Sequence, residues 1–226
     1  LEDAPGHLIE GTTFPTALVV HVKANPPGPV TSVTATPTRV KDTPVTITAE
    51  FESGPEYTNE SVEFFWGLSN SGPWNSIGSV VPTQKGTASI NWTPPAGDPF
   101  DGNETQVWFR ACTKSPGYDP ECGVSEQAIV VDRKGPEVED AYATDSSVLV
   151  TFNEAVDETT ATDTGNYTVQ RAGGADTRTV TAATKVADNQ VRLDLDNPIP
   201  PTETDWQLTV QNVADDLGNV MAAQTV

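Results

Sequence analysis

Acidic and amide side chains collect in a few turn-like stretches of this sequence. They are "VEDAYATD" (Glu139, Asp140, Asp145), "NEAVD" (Glu154, Asp157), "DETTATDTGN" and "ADDLGN" (Asp215, Asp216, Asn219). Hard cations take six to eight oxygen ligands from carboxylates, amides and loop carbonyls, so the chemistry these stretches offer is calcium ligation. The candidate ligands are Glu154, Asp157, Asp215, Asp216 and Asp140. None of the stretches has the EF-hand spacing. Each residue is also an ordinary turn former, because Asp and Asn hydrogen-bond their own backbone. Catalysis finds less support. There is no G-x-S-x-G, no H-E-x-x-H and no phosphate-binding glycine loop. His7 and His21 are the only histidines, and each reads as a surface residue. With 32 acidic residues, chance carboxylate pairs are certain, and no pair stands in an apolar stretch that would shift its pKa. The chain therefore reads as a non-enzyme.

Cys112 and Cys122, in "RACTKSPGYDPECGVSE", flank a Pro- and Gly-containing loop between two apolar runs. They predict a disulfide across the base of a hairpin, which places the protein outside a reducing compartment. Two cysteines with distant histidines do not make a zinc site. Trp74, Trp92 and Trp108 are candidates for a glycan-stacking face, or else for core or domain contacts. Sequons at Asn59, Asn91, Asn103 and Asn166 predict surface glycosylation sites if the source modifies asparagine.

The net charge of −20 argues against nucleic acid as a partner, since a polyanion needs a basic face. No apolar run reaches the length of a membrane span. The first residue is Leu1, which fits either a removed targeting segment or a fragment of a longer chain.

The elements that must position these groups are strands. "TPVTITAEFE" sets Val45, Ile47, Ala49 and Phe51 against Thr46, Thr48 and Glu50. "NQVRLDLD" sets Val191, Leu193 and Leu195 against Arg192 and Asp194. This period of two recurs in short runs separated by Gly- and Pro-rich turns, the pattern of sheets buried on one face. No long stretch has the helical period. "DRKGPEV" breaks the series between two such sets. The expected architecture is all-β: an extended N-terminal arm over residues 1–28, one β-sandwich over 29–133 and another over 134–226.

"VTFNEAVD", "NYTVQ", "RLDLD" and "LTVQNVADDLGN" resemble the Ig-like modules common in bacterial and archaeal surface proteins. The first half is similar to the broader Ig or fibronectin type III class, with Trp66 in the place of a strand C core tryptophan. Cys112 and Cys122 are too close in sequence to bridge two sheets as in antibody domains. The resemblance implies tandem Ig-like sandwiches with a stalk, shell, fibre or adhesin role on the outside of the cell.

The arm carries one further signal. Within Thr16–Lys23, Leu18, Val20 and Val22 fall on one face of an extended strand. Such a segment can add as a strand to another subunit. Repeated head-to-tail addition makes a homopolymer, so residues 16–23 are a candidate donor strand. The expected function is a structural subunit of an extracellular filament, pilus-like fibre or surface layer. The alternative is a pair of spacer or carbohydrate-binding modules in a larger adhesin or secreted enzyme.

Overall fold

The computed structural model describes residues 2–3, 7–8, 24–144, 146–174, 176–200 and 202–226. Strands β1 (Glu2–Asp3) and β2 (His7–Leu8) pair antiparallel with each other. The donor-strand candidates Leu18, Val20 and Val22 lie outside the described residues.

The first unit contains β3 (Val30–Thr36), β4 (Arg39–Val40), β5 (Val45–Phe51), β6 (Ser61–Gly67), β7 (Asn75–Val80), β8 (Thr87–Trp92), β9 (Glu104–Lys114), β10 (Glu121–Val124) and β11 (Ile129–Asp132). One sheet has the order β3-β5-β8, and the other runs β4-β11-β9-β6-β7. The two sheets close on a single core that includes Val45, Ile47, Phe64, Trp92, Phe100 and Phe109. Alternation in β5 sends Val45, Ile47, Ala49 and Phe51 inward, as the sequence predicts. Trp66 also packs into this core, its ring 5.6 Å from those of Trp92 and Phe100.

β9 is the spine of this unit. Its first half pairs with β11 and its second half with β10. Where β10 gives way to β11, Ser125 keeps the ladder satisfied. Its backbone N–H donates to Phe109 O at 2.8 Å, and its hydroxyl accepts from Phe109 N–H at 3.1 Å. Cys112 and Cys122 are register partners in the β9–β10 hairpin and form the expected disulfide.

The second unit contains β12 (Val138–Ala143), β13 (Ser147–Phe152), helix α1 (Glu158–Ala161), β14 (Tyr167–Arg171), β15 (Thr177–Arg178), β16 (Val180–Ala187), β17 (Gln190–Leu195), β18 (Trp206–Val210) and β19 (Gln224–Thr225). Its sheets have the orders β12-β13-β17-β16 and β15-β14-β18-β19. Between them lies a second core that includes Val150, Phe152, Val169, Leu193 and Val210. α1 and the single 3-10 turn at Thr164–Asn166 are the helices among the described residues. They are short because each spans one turn of a loop between strands.

The disulfide closes a loop of sequence separation 10. Replacing both cysteines with serine should lower the stability by about 2–3 kcal/mol through the larger entropy of the unfolded chain. Chemical denaturation of the double variant, beside wild type with and without reductant, checks this.

Candidate functional site at the domain junction

Arg39 sits at the end of the first unit, on a two-residue strand that pairs in parallel with β11. That register brings it beside Asp132, the last residue of β11, whose side chain is fully buried. The Arg39 Nη2 hydrogen-bonds Asp132 Oδ2 and also donates to Glu154 Oε2 at 2.6 Å. Nη1 donates to Asp216 Oδ1 at 3.0 Å. Glu104 and Asp215 stand farther from Nη2, at 3.8 and 4.0 Å. One guanidinium thus faces five carboxylates, two from the first unit and three from the second.

Each acidic residue is placed by a local rule of the backbone. Glu154 follows the end of β13, where the chain leaves the sheet toward the junction. Asp215 opens the turn "DDLGN", and its Oδ1 accepts from the backbone N–H groups of Leu217 at 2.9 Å and Asn219 at 2.7 Å. Gly218 takes a positive φ of 76°, which a side chain would strain. Asn219 donates from Nδ2 to Asp215 Oδ2 at 2.8 Å and across the junction to the Asp132 carbonyl at 3.0 Å. Lys41 Nζ donates to the Gly218 carbonyl at 2.8 Å.

The linker is held as firmly as the cluster. Arg133 donates to Asp42 Oδ1 at 2.9 Å, to Asp101 Oδ1 at 2.8 Å and to the Pro95 carbonyl at 2.8 Å. Its guanidinium carbon also lies 5.9 Å from the centre of the Phe100 ring. Two residues on, a Cβ at Gly135 would fall 2.5 Å from the backbone of Val220. A glycine is required there because the linker runs directly against the second unit. In the sequence, Gly135-Pro136 reads as a break between domains. In the structure it is a close contact.

The electrostatics follow from this crowding. Burial raises the Glu154 carboxyl above its ordinary pKa, and the charges of Asp132 and Asp215 raise it further against the lowering effect of the Arg39 hydrogen bond. Burial alone would lower the Arg39 pKa. The hydrogen bond with Glu154 and the charges of Asp132 and Asp216 outweigh it and raise the value.

Of the predicted calcium ligands, Glu154, Asp215 and Asp216 come together here. Asp157 and Asp140 do not join them. Asp157 caps α1, its Oδ1 accepting from Thr160 N–H at 2.9 Å. Asp140 lies exposed on β12. Glu104 and Asp132 are the acids that the sequence reading missed. Together with Glu154 they offer carboxylate oxygens within 4.8 Å of one another. Such a set suits a cation, but Arg39 already reaches all three acids, and the carboxylate of Asp215 is spent on its own turn. The donor set therefore fits a guanidinium better than a metal ion. Nothing in the isolated string "TPTRVKD" marked Arg39 as the group that would be shared.

The glycosylation candidates divide by exposure. Asn103 and Asn91 are exposed, although Asn91 Oδ1 accepts from Thr46 and Asn103 Nδ2 donates to Pro99 O and Asp101 O. Asn59 uses both ends of its amide to hold Gly28 N–H and Glu52 O. Asn166 is buried, and its Nδ2 donates to the Thr160 carbonyl at 2.8 Å. Asn166 is therefore a structural side chain in this fold and not the surface site expected. Trp92 likewise belongs to the core. Trp74 and Trp108 are half-buried beside Gly67. Trp108 is the cross-strand partner of Gly67, and a Cβ at Gly67 would lie 3.1 Å from the Trp74 ring.

No family model and no curated protein matches this chain. Among solved structures, TarS of S. aureus is similar over 84% of this chain and 39% of its own, with 6% identity and a TM-score of 0.24. At that distance the likeness carries no argument. The chain spans well under half of that structure's length.

Arg39→Met should cost about 3–5 kcal/mol, because it strands Asp132 and Asp215 as buried charges without a counter-charge. Glu154→Gln should behave in the opposite way. A carboxyl with a raised folded pKa adds stability below the ordinary carboxylate range and loses that contribution as pH rises through the folded value. The glutamine mimics the protonated form at every pH. Its melting temperature at neutral pH should match or exceed that of wild type, with a flatter profile between about pH 4 and 7. Thermal melts of both variants across that range check the pair.

Proposed function

We propose that this chain is a non-catalytic, extracellular structural protein, a subunit of a filament or surface layer in which Ig-like units are joined through the N-terminal arm. The observation that carries this reading is the junction. Bonds from Arg39, Lys41 and Asn219 cross it, and Gly135 abuts the second unit. A pair of domains fixed in this way transmits position and load, whereas an enzyme cleft between domains commonly needs them to move. The positive charge at the junction belongs to Arg39 in this reading, and calcium has no required place.

Other features agree with it. The Cys112–Cys122 disulfide suits an oxidising environment. Among the described residues, no helix is long and apolar enough to cross a membrane. The net charge of −20 favours a well-hydrated surface. Trp74 and Trp108, flanking Gly67 on the outer face of β6 and β9, favour a second reading, in which the pair are spacer or glycan-binding modules of a larger adhesin or secreted enzyme. Loss of glycan-array binding in Trp108→Ala would support that alternative.

Deleting residues 1–24 should leave a protein with wild-type melting behaviour that no longer assembles. Negative-stain microscopy and light scattering of both forms read this, and a deletion that still formed the same polymer would sink the proposal. Calcium titrated into chelator-treated wild-type protein should give no heat and no shift in melting temperature. A clear response would show that calcium has a place in this protein after all.

A further inference from the structure

The junction holds more negative charge than its one guanidinium can balance, and Glu154 stands in the middle of it. β4 brings Arg39 to this carboxylate, β9 brings Glu104, β11 brings Asp132, and the turn after β18 brings Asp215 and Asp216. The nearby cations are engaged elsewhere. Lys41 Nζ donates to the Gly218 carbonyl, and Lys185 Nζ, from β16, donates to the Val156 carbonyl at 2.7 Å. In the linker, Arg133 pairs with Asp42 and Asp101, and Lys134 pairs with Glu137. Arg39 is thus the cation paired with Glu154 among the described residues. Glu104, Asp132 and Glu154 present oxygens within 4.8 Å of one another, from both sides of the boundary. Like charges this close in a poorly hydrated site favour uptake of a proton by one of them.

Hydrogen bonding singles out which one. Asp132 uses both oxygens as acceptors, Oδ2 for Arg39 and Oδ1 for the Lys134 N–H at 3.0 Å. Asp215 does the same, with Oδ1 accepting from two backbone N–H groups and Oδ2 from Asn219 Nδ2. Glu154 accepts from Arg39 through Oε2, and its Oε1 has no hydrogen-bond partner among the described residues. A proton on Oε1 therefore breaks no bond. It leaves the Arg39 contact in place and removes the repulsion against Asp132 and Asp215.

We propose that Glu154 makes the joint between the two units a proton-sensitive hinge: with its carboxyl protonated the units are locked, and with it ionised they turn more freely about the linker at 133–136. The proposal deepens the structural-subunit reading above and rests on its fixed junction. Burial, with the charges of Asp132 and Asp215, holds the Glu154 carboxyl above its ordinary value against the pull of Arg39. Once the units part, water reaches Glu154 and that cause is gone, so docking takes up a proton. The contribution to docking is complete below the ordinary glutamate range and is lost as pH rises through the docked value. The Lys41–Gly218 bond, the Asn219 bond to the Asp132 carbonyl and the Gly135 contact do not depend on that proton. The units therefore slacken without separating.

Spin labels on Val81→Cys and Val186→Cys, exposed positions of the first and second units, read the separation of the units in the full chain, the native cysteines being already paired. The distance distribution should be narrow in mild acid and should broaden as pH is raised to about 8. Adding Glu154→Gln should keep it narrow across the range. Adding Glu137→Gln, which removes the exposed partner of Lys134 outside the cluster, should leave the broadening as it was. Melting temperatures confirm folding at each pH. A distribution that stays narrow throughout in the labelled protein with Glu154 intact leaves the fixed junction standing and overturns the switch, with no further variant needed. Equal broadening in folded Glu154→Gln also overturns it. A distribution broad at every pH overturns both the switch and the fixed junction.

Discussion

Two carboxylates with no exposed side-chain surface, Asp132 and Asp215, end up on either side of the same boundary. Buried charge is tolerated only with a counter-charge and hydrogen bonds to the remaining lone pairs. Arg39 meets that demand, and its geometry sets the relation of the two units. A lysine would offer a single point of contact, whereas the planar fork of a guanidinium reaches Asp132, Glu154 and Asp216 in divergent directions. The Asx turn at Asp215 and the Asn219 bridge to the Asp132 carbonyl exist in the same small volume because none of these acids could be left alone there.

Strand content and facing were legible because a period of two survives in nearly every run. The inward residues of β5, β13 and β17 can be read directly from "TPVTITAEFE", "SSVLVTF" and "NQVRLDLD". The disulfide was legible from a short, turn-rich spacing. The junction was legible only in part. Glu154, Asp215 and Asp216 announce themselves as acids in turns, but their partner is a lone arginine more than a hundred residues earlier. Pairing across such a separation depends on how two sandwiches meet, which no local pattern encodes. The same limit explains Asn166. Its sequon is local, whereas its burial comes from the fold of the α1 loop around Thr160. Gly135 was visible as a breaker, but its close approach to Val220 was not.

The strands of the two units are flanked differently. In the first, β9 is an interior strand between β6 and the pair β10 and β11, and Ser125 keeps its ladder satisfied where β10 gives way to β11. In the second, β12 is an edge strand that pairs with β13 among the described residues. Soluble proteins protect such edges with charge, covering elements or partners. Exposed Glu139 and Asp140 on β12 put charge on that edge, which discourages indiscriminate pairing.

The course of β9 has a mechanical meaning. Its C-terminal end is tied to the arm through Ser115 and Asn25 and braced by the Cys112–Cys122 bridge. Its N-terminal end meets the Arg39 cluster that grips the second unit. Tension applied through the arm would run along the axis of a single strand flanked by β6 on one side and by β10 and β11 on the other. Ladder bonds pulled in that direction are sheared together and not unzipped one at a time, so rupture requires many to fail at once. The rate of forced unfolding, more than the equilibrium stability, would then govern how long the molecule endures under strain.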